Sequence, residues 1–122
     1  MKSLIALALF SLSLTASAQN VTKARNCWNE VAIQVSIGLS MEAHEARPGS
    51  QAERRAQREM RQFAEYVNDF PMFETGCHEG SANGKENACK YQVYVYEVSK
   101  LVREYGVNNI RSIPACRGIK YK

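Results

Sequence analysis

The residue types most able to carry chemistry are few in this 122-residue chain: two histidines, His44 and His78, and four cysteines, Cys27, Cys77, Cys89 and Cys116. His78 lies between Cys77 and Glu79 in the stretch GCHEGSANGKENAC, which puts an imidazole beside a carboxylate. General acid–base chemistry needs those two side chains to face each other, with a nucleophile or bound ion in reach, and adjacency in sequence supplies neither. The nucleophile-elbow pattern GxSxG and the zinc-protease pattern HExxH are both absent. Structural zinc sites pair their ligands at short spacing, yet the chain has no CxxC or HxxxH, and the haem-attachment pattern CxxCH is missing. The expectation is a protein that is not an enzyme, with no catalytic residue, metal or cofactor assigned. A small secreted hydrolase using His78 stands as an alternative.

The cysteines read as cross-links once the first residues are considered. Met1-Lys2-Ser3 is a short positive region, Leu4 to Leu14 an apolar run, and Ala16-Ser17-Ala18 a small-x-small cleavage site, so residues 1–18 read as a secretory signal peptide. The run falls short of the roughly 20 residues a spanning helix needs, and charges interrupt every later candidate. Residues 19–122 are then a single domain, periplasmic or secreted. In an oxidising compartment four cysteines make two disulfides, with three pairings open. The favoured pairing is Cys77–Cys89, closing a polar loop, with Cys27–Cys116 tying the start of the domain to its end.

Stepped periodicity supplies the elements that position these residues. Trp28, Val31, Ala32, Val35 and Leu39 form a core stripe on a helix from about Thr22 to Ala46. Ile33, Ile37 and Met41 form a second stripe roughly 180° around at about 100° per residue. A helix apolar on two faces is sandwiched or offers one face to a partner, and Gly38 in its interior suggests a close-packing point. Arg47-Pro48-Gly49 breaks that helix, and Ser50-Gln51-Ala52-Glu53 fits a capping box opening a second one, apolar at Ala52, Ala56, Met60, Phe63, Val67 and Phe70. Pro71 ends it. A third helix carries Tyr91, Tyr94, Val95, Val98, Leu101, Val102 and Tyr105, with Gly106 as its stop. The strand formers in Tyr91–Tyr96 make an extended reading its rival. A short helix around Asn109–Ile113 precedes Pro114, Cys116 and a basic tail. The predicted fold is all-α: a small three-helix bundle plus a short C-terminal helix, stabilised by disulfides.

Charge says less than its distribution. Removing Lys2 with the signal leaves fifteen basic against twelve acidic side chains. Lys100 to Lys122 holds six basic residues against Glu104, while Glu65 to Glu86 holds five acidic residues against Lys85. The Arg54/Arg55/Arg58/Arg61 face allows a cationic membrane or cell-wall surface binder as a further alternative. Nucleic acid is not expected, because no recognised motif accompanies the charge. The leading expectation is protein binding. In plan, though in no motif, the chain resembles the small helical proteins that bacteria export to neutralise toxic enzymes of the envelope. In small exported phospholipases, by contrast, an aspartate follows the catalytic histidine on a helix, whereas here Glu79-Gly80 follows. The pinned loop offers His78, Glu79, Lys85 and Glu86 as a contact set, and the second stripe, Ile33, Ile37 and Met41, offers a homodimer face.

Overall fold

The computed structural model describes residues 2–71, 76–77, 85–107 and 110–119, with residues 2–17 by backbone alone. The architecture is all-α. Among the described residues three long helices, α1 (Lys2–Glu45), α2 (Gln51–Asp69) and α3 (Lys85–Tyr105), are followed by two 3-10 turns, Ile110–Ser112 and Pro114–Cys116. The predicted C-terminal helix is thus two tight turns, because Pro114 has no N–H to continue an α-helical ladder.

Helix α1 is the central element, since α2, α3 and the turn carrying Cys116 all pack against it. It runs unbroken for 44 residues, where periodicity predicted a start near Thr22. The residues before Thr22 contain no proline or glycine, so nothing in them stops helical propagation. Its expected core stripe is buried, with Val31 and Cys27 fully enclosed. The helix ends where Arg47-Pro48-Gly49 turns the chain, and Gly49 takes φ 78°, a conformation that costs other residues.

Helix α2 opens on a side-chain cap. The Ser50 hydroxyl accepts from the Glu53 N–H at 3.2 Å, and the Glu53 carboxylate reaches back to the Gly49 N–H at 3.3 Å, one residue beyond the usual box. Such a cap contributes about 1 kcal/mol. Phe70 closes the helix, its N–H bonded to the Val67 carbonyl at 3.3 Å ahead of Pro71.

Tyr91–Tyr96 is helical within α3, so the apolar three-and-four spacing outweighs β propensity there. Gly106 ends α3 at φ 63°, the left-handed stop expected of it. Helix α3 also begins earlier than the polar-loop reading implied. Lys85 and Glu86 sit in its first turn, and Glu86 pairs with Lys90 one turn on, at 3.1 Å.

An aromatic cluster fills the space between the helices. Trp28 of α1 stacks on Phe70 with centroids 4.1 Å apart and meets Tyr94 edge-on at 6.2 Å. Phe63 of α2 meets Tyr105 of α3 at 5.5 Å. Both expected disulfides are formed. Cys27–Cys116 spans 89 positions and lies in the core, and Cys77–Cys89 spans 12 and ties the segment after α2 to α3.

Candidate functional site

The face of α1 opposite its core stripe is open. Ile33, Ile37 and Met41 are 51%, 49% and 54% exposed, the degree of exposure typical of a surface rather than of a sandwiched helix. The reason is geometric. α2, α3 and the Cys116 turn all use the face centred on Val31 and Val35, so among the described residues no element covers the other side.

Beside this stripe runs a groove between α1 and α2, open to solvent and holding about 380 Å³. Leu39 and Phe63 form its floor, Met60, Ala64 and Val67 its α2 wall, and the small Ser36 and Ser40 its α1 rim. Ile33 and Ile37 each stand three residues before one of those serines, so stripe and groove make one continuous, mostly apolar surface. Sequence periodicity found the stripe. The groove depends on how far apart α1 and α2 sit, which no local spacing encodes.

Gly38 requires a correction. Among the described residues a side chain built at this position would meet nothing within 4 Å, so the glycine is not a close-packing point between these elements.

Of the expected contact set, Lys85 is exposed at the start of α3, and Glu86 is partly buried and paired with Lys90. His78 and Glu79 lie outside the described residues. The four arginines of α2, Arg54, Arg55, Arg58 and Arg61, are all exposed. Among the described residues no group of three or more His, Cys, Asp and Glu side chains is placed to hold a metal ion. Nor is any helix of these residues long and apolar enough to cross a membrane.

The main polar cluster that sequence reasoning missed is internal. Trp28 Nε1–H donates to the Tyr66 hydroxyl at 3.1 Å, and that hydroxyl donates to Glu97 Oε2 at 2.8 Å. Glu97 is only 6% exposed, on a helix whose apolar spacing gave no hint of a buried carboxylate. Nearby, Arg25 Nε–H donates to the Tyr94 hydroxyl at 3.2 Å. These bonds join all three helices through buried and half-buried groups, an arrangement that fixes helix register.

Burial is the main cause that pushes the Tyr66 phenol well above the usual tyrosine range, and the bond to Glu97 and the charges of Glu97 and Glu104 add to it, while the Trp28 bond opposes. The folded protein therefore keeps this proton at pH values where an unfolded tyrosine, near pKa ~10, has lost it. Its stabilising contribution is complete below about pH 10 and declines as pH rises further. Urea midpoints measured between pH 9 and pH 12 are expected to fall, and Tyr66→Phe should flatten part of that fall. An identical slope in the variant would remove Tyr66 as the cause.

The fold and this surface together define a disulfide-bonded three-helix bundle with one uncovered apolar face. No family model matches the chain, and neither a curated protein nor a solved structure matches it.

Proposed function

We propose that this is a small exported protein-binding domain of the inhibitor or immunity type, which neutralises a cell-envelope enzyme or toxin. The observation that carries the reading is the continuous Ile33/Ile37/Met41 stripe and α1–α2 groove, left open on a domain whose interior is otherwise packed and cross-linked. An exposed apolar surface bordered by polar residues is a common mark of a protein interface. An amphipathic helix or apolar loop of the target would lay its side chains into the groove. The segment pinned by Cys77–Cys89, with His78, Glu79, Lys85 and Glu86, would supply polar contacts at lower entropic cost than a free loop. The stripe is equally available to a second copy of the chain.

Export through residues 1–18, with residues 19–122 as the working domain, is part of the proposal. Ala18, Gln19 and Asn20 are exposed and Val21 is buried, so cleavage after Ala18 removes none of the described core.

The test is capture. Protein recovered with its disulfides intact from the periplasm of an expressing bacterium is immobilised and offered envelope extract at low and high salt. One dominant protein should be retained at both salts, and Ile37→Asp should weaken that retention at least about tenfold, a loss of about 1.4 kcal/mol or more. Retention of lipid or glycan alone, lost at high salt, would replace this reading with a cationic surface binder using Arg54, Arg55, Arg58 and Arg61. Retention of nothing, joined to hydrolytic activity that vanishes in His78→Ala, would replace it with the hydrolase.

A further inference from the structure

We infer that the open face of α1 pairs with the same face of a second copy, the two helices running antiparallel about a two-fold axis at Ile37. The inference rests on the reading of this face as a protein-docking surface and names what occupies it before a target does.

Self-complementarity of the sequence around Ile37 carries the argument. An isologous antiparallel pair sets each residue level with the one equally far on the other side of the axis. Ile33 and Met41, four residues before and after, are then level with each other, and Ile37 meets its own copy. All three are about half exposed, so they have surface to bury. Seven residues before and after the axis stand Glu30 and His44, both exposed and both within about 20° of the stripe's midline at about 100° per residue. The pair therefore places a carboxylate of one copy beside an imidazole of the other at both ends, closing the apolar strip with two complementary polar contacts.

Between Glu30 and His44 the only charged residue is Glu42, which sits on the far flank in the cleft beside Tyr105 and away from the stripe. No like charges are brought together on the strip. A parallel arrangement would instead align Glu30 with Glu30 and His44 with His44. Chemistry thus selects the antiparallel register.

Three half-exposed apolar side chains and a polar contact at each end make a small patch beside the ~800 Å² per partner of a standard interface, so the dimer is weak enough for a tighter-binding target to displace it.

Sedimentation equilibrium of the disulfide-bonded periplasmic protein, from micromolar to millimolar concentration, tests the inference. A monomer–dimer equilibrium is expected. Ile37→Asp should weaken it at least tenfold, and Glu30→Lys and His44→Glu should each weaken it several-fold. The double variant Glu30→Lys/His44→Glu should recover most of the association, because each new lysine meets a new glutamate. Circular dichroism confirms that these surface variants stay folded. A monomer throughout, a dimer indifferent to Ile37→Asp, or a double variant no better than the singles would each overturn the inference. Cross-linking gives a second readout, since a mixture of Ile33→Cys and Met41→Cys chains should join through a short bismaleimide faster than either chain joins itself. Self-association that fails while target capture succeeds refutes the dimer alone; self-association without any captured target refutes the inhibitor reading alone.

Discussion

Replacing Cys27 and Cys116 together by alanine is expected to lower the stability of the protein by about 4–5 kcal/mol, whereas the same change at Cys77 and Cys89 should cost about 3 kcal/mol. The difference follows from the lengths of chain each bond closes. Cys27–Cys116 spans 89 positions and so removes far more freedom from the unfolded chain than Cys77–Cys89, which spans 12. Position adds to it. Cys27 and Cys116 are both enclosed where α1 meets the final 3-10 turn, and the closely packed Ile119 follows. Without the bond, the C-terminal segment loses its covalent tie to α1. Against a total stability of roughly 5–15 kcal/mol, such a loss leaves the protein close to unfolding at body temperature. Urea unfolding followed by circular dichroism measures both pairs. Equal losses would show that chain entropy is not the controlling term, and a larger loss at Cys77–Cys89 would show that the segment after α2 organises the core.

Trp28→Ala is expected to cost about 3–5 kcal/mol, because it empties the centre of the aromatic cluster. The indole lies stacked on Phe70, edge-on to Tyr94 and tilted against Tyr66, so one side chain joins α1 to both other helices. It also donates the hydrogen bond that begins the Trp28–Tyr66–Glu97 chain. Two milder variants separate packing from hydrogen bonding. Trp28→Phe keeps a ring and loses the N–H, while Tyr66→Phe keeps the ring and withdraws the hydroxyl from the buried Glu97, at a cost of about 1–3 kcal/mol. If the bonds act as one network, the double variant should cost measurably less than the sum of the singles. Strict additivity would reduce Tyr66 and Trp28 to independent packing residues. Trp28 is the only tryptophan in the chain, so its fluorescence follows core formation directly in every variant that retains it.

The open face and the core differ in how visible they were beforehand. The second stripe on α1 was legible because Ile33, Ile37 and Met41 recur every four residues, and recurrence is a property of sequence alone. Whether that stripe is sandwiched was not legible, since it depends on which side of α1 the other helices choose. The groove beside it needed the separation of α1 and α2. Glu97 was invisible for a related reason. An acidic residue among Tyr94, Val95 and Val98 looks solvated until Tyr66, thirty-one positions earlier, is brought within 2.8 Å of it. Lys85 and Glu86 read as loop residues from the sequence, because the glycine-rich run before them hides where helix α3 begins.

What the sequence determined by itself is what local spacing and bond chemistry control. Periodicities of three and four specified three helices and their buried faces, Ser50 with Glu53 and Gly106 marked two helix ends, and an even number of cysteines gave two cross-links. Tertiary packing set the relation between those pieces: α1 as the shared centre, a buried carboxylate held by a tyrosine from another helix, and one apolar face that no described element covers. Helical periodicity and caps act over a single turn and are written in neighbouring residues. The choice of which surfaces meet is made by burial of area across the whole bundle, and no residue carries that choice alone.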